Sequence, residues 1–188
     1  MIKIENLSKK YGENIVFENV SFFFKENSIT AVMGKSGSGK TTLLRIIMGL
    51  EEYTGNSEGL KYKKIGAVFQ EDRLCENLSA ITNVSMVCKK GTVTKKIKKE
   101  LESIGLKGNA VKPVKELSGG MKRRVAIVRS IMAEPDIIVF DEPFKGLDIE
   151  TRKEVISYLR KKLENRTVII VTHDIEEARA LNAEIINI

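Results

Sequence analysis

Apolar residues in this chain recur at two periods, and the switches between them divide the sequence into elements. Near the N-terminus the period is two. Ile2 and Ile4 alternate with polar neighbours in MIKIENL, and Val20, Phe22 and Phe24 share one face of NVSFFF. Both stretches read as strands. SITAVM, residues 28–33, is a short apolar run that ends at a glycine-rich loop. After the loop, TTLLRIIMGL carries Leu43, Leu44, Ile47 and Leu50 at helical spacing, with Gly49 near its end. KKIGAVFQ reads as another strand, ending at Gln70. From Glu71 to Glu116 the pattern is helical, polar and lysine-rich, and TKKIKKELESIGL is its clearest amphipathic piece. DIIVFDE and RTVIIVTHD are continuous apolar strands ending in acidic or polar residues, which suits parallel strands covered on both faces. AEIINI reads as a last strand. Strands alternating with helices predict an α/β fold with a mostly parallel sheet. There is no internal repeat, low-complexity tract or linker.

Composition narrows this picture without redirecting it. A chain of 188 residues suffices for one well-buried core, and 42% hydrophobic with 30% charged residues fits a soluble globular protein. The formal charge of +7 permits contact with nucleic acid, anionic lipid or nucleotide phosphate and selects none of them. Cys75 and Cys88 have neither CxxC nor metal-ligand spacing and are expected to be reduced. The N-terminal MIKIENLSKKYG lacks the apolar core of a secretory signal, and no run approaches the ~18 apolar residues of a membrane span.

Candidate chemistry begins in VMGKSGSGKTTLL. Gly34, Lys35, Ser36, Gly37, Ser38, Gly39, Lys40 and Thr41 fit G-x-x-x-x-G-K-[ST] in full, between a strand and a helix start. The glycines let successive N–H groups converge on an anion, and the helix that starts near Gly39 turns its positive end to the same point. Lys40 is expected to reach the β- and γ-phosphates of a nucleoside triphosphate, and the Thr41 hydroxyl to bind Mg²⁺; Thr42 supports the helix start. The bland alternative is a flexible turn. A second signal is the end of IIVFDE, where Asp141 and Glu142 emerge at a strand's carboxyl edge, the ligand-binding edge of open α/β sheets. Asp141 suits Mg²⁺, directly or through water, and Glu142 suits a general base for an attacking water. An acidic pair capping a turn before Pro143 is the structural alternative.

In ELSGGMKRRVAIVRS, Leu117, Ser118, Gly119 and Gly120 resemble the signature motif of ATP-binding cassette (ABC) ATPases. The other parts stand in that family's order, from about Tyr11 to about Ala178. Tyr11 resembles the residue that stacks on adenine. The phosphate loop matches Walker A, Gln70 the Q-loop, and Asp141 and Glu142 the Walker B end and catalytic glutamate. Gly146 to Asp148 match the D-loop, and His173 the switch histidine. The resemblance implies a P-loop core with a mostly parallel sheet, an N-terminal antiparallel β subdomain and a short helical subdomain at about 71–133, in one domain over 1–188. It also implies ATP and Mg²⁺ as ligands, with Gln70 contacting Mg²⁺ or water. In the implied head-to-tail homodimer, Ser118 and Gly120 of one chain contact the γ-phosphate held by the other chain's Lys40, and Asp148 acts across the interface. Independent physics accompanies each residue. Ser118 is a good N-cap for a helix with Val125, Val128 and Met132 on one face. Asp148 suits an N-cap with half a capping box. His173, the only histidine, follows a strand's carboxyl end. Tyr11 could equally pack beside Gly12, and Gln70 could be an ordinary polar cap.

Three departures stand out. Met121 replaces the glutamine common after the signature glycines. Lys145 replaces a small residue before the D-loop. The helical segment is short, and with the chain ending soon after the His173 helix, no C-terminal regulatory domain is expected. AVFQEDRL, Asn83-Val84 and SGGMKRRVAIVRSI are most similar to ATPase subunits of nitrate/sulfonate/taurine-type bacterial importers. That resemblance implies a peripheral protein on the cytoplasmic face of the cell membrane, partnered by integral permease subunits and a substrate-binding protein, with no nucleic acid. The permease would dock a short coupling helix beside Gln70 and the 71–87 segment. The alternative is a soluble ABC ATPase acting on DNA or ribosomes, but neither the long coiled-coil insert nor the tandem cassettes of those classes is present. An inactive binding module ranks last, since Lys40, Thr41, Asp141, Glu142 and His173 are all present.

Overall fold

The computed structural model describes residues 1–188 and contains two sheets. β1 (Ile2–Tyr11), β2 (Asn14–Phe24) and β4 (Thr54–Glu58) form an antiparallel sheet in the order β2-β1-β4. β3 (Ile29–Met33), β5 (Ile65–Val68), β6 (Ile137–Asp141), β7 (Thr167–Val171) and β8 (Glu184–Asn187) form a second sheet in the order β5-β6-β7-β3-β8, with every pair parallel. The alternating antiparallel strands and the continuous apolar ones thus separate as their patterns predict.

The central strands are buried on both faces, and their alternation sorts two cores. Ile137, Val139, Ile169 and Val171 point to a cluster that contains α1 (Lys40–Ile47) and the antiparallel sheet. Ile138, Phe140, Val168 and Ile170 point the other way, into a larger cluster. That cluster holds residues of α2 (Ala80–Ser85), α3 (Thr94–Ser103), α4 (Gly119–Met132), α5 (Ile149–Lys162) and α6 (Ile175–Ala180). Val125, Val128 and Met132 of α4 face it, as their spacing predicts. Burial of this kind contributes about 25 cal/mol per Å² of apolar surface, and it fixes the sheet whose carboxyl edge carries the polar residues.

Three sequence expectations need correction, and one strand has no sequence reading. The 71–116 stretch is not continuously helical. It holds only α2, α3 and one 3₁₀ turn at Val114–Glu116, and side chains organise the intervening loops. The buried Asn83 amide donates to the carbonyls of Cys75, Leu78 and Ser79 and accepts from the Cys75 N–H, so it shapes the loop before α2. β5 stops at Val68, short of Gln70, because the Arg123 guanidinium takes the Phe69 and Gln70 carbonyls, each at 2.6 Å. Leu50 lies beyond the end of α1 and is 49% exposed. β4, TGNSE, has no apolar periodicity at all and is held by its ladder with β1 and the Lys3–Glu58 ion pair at 2.9 Å.

Replacing Phe140 by Ala empties a fully buried site between the sheet and the larger helical layer. The expected cost is about 3–5 kcal/mol of unfolding free energy, read as a lower denaturant midpoint at unchanged slope. A loss below about 1 kcal/mol would show that this core collapses onto the cavity instead.

Candidate nucleotide site

The glycine-rich segment joins β3 to α1 and wraps around one side chain. Lys40 is only 7% exposed, and its ammonium donates to the carbonyls of Gly34 (2.9 Å) and Lys35 (2.7 Å). An ammonium has three donors, so one remains for an anion. Gly39 sits at φ 95°, and a Cβ there would lie 2.6 Å from the Phe17 ring; glycine is required twice over. α1 has no side-chain cap and no acidic residue in its first turn, which leaves its N-terminal N–H groups available. The Ser38 hydroxyl is buried without a partner inside the same loop.

The second part of the site comes from β6 and β7. Their parallel pairing sets Asp141 opposite Val171, and the Glu142 N–H extends the ladder to the Val171 carbonyl at 3.0 Å. Glu142 itself takes φ 50°, which turns the chain out of the strand. Asp141 accepts a hydrogen bond from the Thr41 hydroxyl at 3.1 Å. Burial pushes the Asp141 carboxyl above its ordinary range; the Thr41 hydrogen bond opposes this, and the neighbouring Glu142 charge adds to it. The Glu142 carboxylate lies 3.1 Å from His173 Nε2 through Oε1 and 3.1 Å from Lys145 Nζ through Oε2.

Tyr11, Ser36, Gly37, Gly39, Lys40, Thr41, Thr42, Gln70, Glu142 and His173 line one open cleft of about 370 Å³, together with Asn14 and Val16. Gly34, Lys35, Ser38 and Asp141 lie in the loop or on the strand behind this lining. Tyr11 ends β1 at the rim, half-exposed, with the Lys9 ammonium 4.7 Å from its ring centroid. Lys9 thus covers one face of the ring, and the residue also lines the cleft. Ser118, Gly119 and Gly120 do not line the cleft. Ser118 is exposed and caps α4 by accepting from the Met121 N–H at 3.3 Å. Asp148 caps α5 through the Thr151 N–H (2.9 Å) and hydroxyl (2.7 Å), and these bonds hold its carboxyl below the usual range.

The donor set suits a small hard cation: a threonine hydroxyl, a buried carboxylate and the Gln70 amide. No three His, Cys, Asp or Glu residues converge on a metal position anywhere in the chain, this cleft included. Such a partial oxygen set matches Mg²⁺, which keeps waters and phosphate oxygens as its other ligands.

Sequence reasoning missed the groups behind the site. Arg123 and Arg129 of α4 bind the backbone around Gln70. Besides its two carbonyls, Arg123 pairs through Nε with Asp72 Oδ1 at 3.2 Å, and Arg129 donates to the Asp72 and Arg73 carbonyls. Beneath His173, the Thr172 hydroxyl donates to the buried Glu177 at 2.5 Å and accepts from the Asp174 N–H. Arg152 pairs with both Asp174 (3.2 Å) and Glu177 (3.4 Å). Asp174 before IEEAR was readable as a helix cap, and it does cap α6. Its ion partner on α5 left no sequence signal.

The family model described as ABC transporter matches residues 17–145. The chain is 34% identical to the intermembrane phospholipid transport ATP-binding protein MlaF of Haemophilus influenzae, over 96% of this chain and 77% of that one. It is 33% identical to the aliphatic sulfonates import ATP-binding protein SsuB 1 of Paracoccus denitrificans, over 94% and 74%. It is 36% identical to the sulfate/thiosulfate import ATP-binding protein CysA of Mannheimia succiniciproducens, over 98% of this chain but 58% of that relative. Among solved structures, an ATP-binding cassette in a dimeric post-hydrolysis state bound to ADP and phosphate superposes with a TM-score of 0.86 at 34% identity. It covers all of this chain and 94% of the other.

A carboxyl raised on folding contributes stability that is fully present below its unfolded pKa and is lost as pH rises through the folded value. Ionised Asp141 therefore costs stability at neutral pH. Asp141→Asn should raise the thermal midpoint of the nucleotide-free protein at pH 7–8, and the gain should shrink on acidification. A lower midpoint at pH 7–8 would overturn this account.

Proposed function

This chain belongs to the ABC transporter family, and from that premise we propose that it is the ATP-hydrolysing subunit of a membrane importer, with the residue roles that follow. The observation that carries the reading is the single cleft joining the Lys40 loop, Thr41 and the Glu142–His173 pair.

Tyr11 stacks on the base, and the loop N–H groups with Lys40 hold the phosphates. Thr41, Asp141 and Gln70 hold Mg²⁺, which when bound offsets phosphate charge. Glu142 Oε1 accepts a proton from water as the water oxygen bonds to the γ-phosphorus. The bond to the bridging oxygen breaks, leaving ADP and phosphate. His173 is 64% exposed and anchored only through Glu142, so it is free to turn to the γ-phosphate. Ser118 and Gly120 lie outside their own chain's cleft, and their exposed helix start suits a partner's γ-phosphate. Two-fold pairing then yields two composite sites, with Asp148 at the interface, and the dimeric state of the solved cassette supports this arrangement.

No helix is long and apolar enough to cross a membrane. By analogy with the import ATP-binding relatives, the translocation path belongs to separate permease subunits, with a substrate-binding protein delivering cargo and this subunit on the cytoplasmic face. Relatives at 33–36% identity carry names citing phospholipid, sulfate, sulfonate and polyamine transport. The cassette chemistry is shared across those cargoes, so cargo choice lies with the partners.

Lys40→Ala should abolish ATP binding, measured by fluorescent-nucleotide titration; unchanged affinity would refute the loop assignment. Glu142→Gln should bind ATP, lose turnover by about a hundredfold or more and accumulate as an ATP-bound dimer in size-exclusion chromatography. Tagged Glu142→Gln protein, recovered from detergent-solubilised native membranes with ATP and Mg²⁺, should bring a multi-spanning protein in stoichiometric yield. Recovery with nucleic acid or ribosomes instead would overturn the importer reading.

A further inference from the structure

The Glu142 carboxylate has a side-chain nitrogen beside each oxygen. Oε1 meets His173, and Oε2 meets the Lys145 ammonium, each at 3.1 Å. The two partners differ in how they are mounted. His173 follows β7 on an exposed segment and has no other side-chain anchor. Lys145 closes a tight turn: its N–H donates to the Glu142 carbonyl at 3.1 Å. Pro143 fixes one φ inside that turn, and Phe144, 1% exposed, plugs it into the core. The turn therefore fixes Lys145 Cα relative to Glu142. Lys145 does not line the nucleotide cleft, so it reaches the carboxylate from behind.

A glutamate carboxyl rotates broadly about its last torsion unless something holds it. A general base must present a lone pair within hydrogen-bond reach of the water it deprotonates. Oε1 lies beside His173, and Oε2 is buried with the Lys145 ammonium at ion-pair distance but without hydrogen-bond alignment, so the lysine acts on the carboxylate through its charge. Lys40, the other cation nearby, is committed to the Gly34 and Lys35 carbonyls. Asp141, the adjacent carboxylate, accepts from Thr41 and offers Glu142 only repulsion.

We propose that Lys145 is a positioning residue for hydrolysis: the charge of its ammonium holds Oε2 of Glu142, so that Oε1 faces the attacking water once His173 lets go. This rests on the general-base reading of Glu142. The lysine also offsets the repulsion between the carboxylate and incoming phosphates. A small residue at position 145 would do neither.

The test is steady-state ATP hydrolysis by the full chain carrying Glu142→Gln, Lys145→Met, Lys145→Arg or Lys145→Glu. Lys145 is 56% exposed, so folding should survive each change at that site, and the KM for ATP reports an intact cleft. Lys145→Met should lower kcat about two- to five-fold with KM unchanged, the scale of an exposed ion pair. Lys145→Arg should restore most of the rate, and Lys145→Glu should fall below Lys145→Met. Wild-type kcat in both Lys145→Met and Lys145→Glu, with Glu142→Gln at background, would overturn the role of Lys145 alone. So would a rise in kcat on removing the lysine, or a change confined to KM. Wild-type turnover in Glu142→Gln would bring down the general-base reading and this proposal with it.

Discussion

The pairing of β6 with β7 is the constraint on which the site depends. Both strands are wholly buried, so a one-residue slip would exchange their two core faces and expose neither to water as relief. In the register observed, Asp141 lies opposite Val171, and the next peptide, Glu142 N–H to Val171 O, completes the ladder. Glu142, just past one strand end, and His173, just past the next, are thereby brought to 3.1 Å. The packing fit of two differently filled cores enforces the register; the chemistry is carried by the residues just past it.

The same logic explains why the cleft is backed by arginines rather than by further packing. Leaving a parallel sheet at its carboxyl edge frees carbonyls that no strand will bind. Arg123 and Arg129 collect those of Phe69, Gln70, Asp72 and Arg73, and Arg152 with Thr172 orders the turn after His173. Arg123 and Arg129 stand on α4, the helix that Ser118 opens. The segment bearing Gln70 is thus tied to the helix whose first residues face outward, and a shift of one carries the other along.

What could be read in the sequence and what could not divides along this line. The loop from Gly34 to Thr41 and the acids at 141 and 142 are local: adjacent residues in one turn or at one strand end. The caps at Ser118 and Asp148 are local too, and all of these were legible. The continuous apolar runs likewise disclosed the parallel sheet. Arg123 to Gln70, Arg152 to Glu177 and Asn83 to Cys75 were not legible, because a charged or amide side chain carries no period that names its partner. β4 was invisible for the opposite reason: its five exposed residues have no buried face, and only the neighbouring β1 makes it a strand. The lysine-rich TKKIKKELES does form a helix, and the helical reading of 71–116 fails in the lysine-free EDRLCENLS, residues 71–79. Buried Asn83 and the two arginines stabilise loops there instead.

The electrostatics of the site show why it is not a stability optimum. Burial raises the carboxyls of both Asp141 and Glu177, so each resists ionisation in the folded chain. Glu177 is compensated by Thr172 and Arg152, which makes it part of the scaffold beneath His173. Against burial and a second carboxylate, Asp141 has one hydroxyl donor and the charges of Arg123 and Lys40, with an ion pair to neither. An acid left this poorly compensated is out of place in a scaffold and well suited to a cation arriving with a nucleotide. Binding would then relieve a cost built into the empty fold, which couples occupancy of the cleft to the stability of the strand edge that forms it.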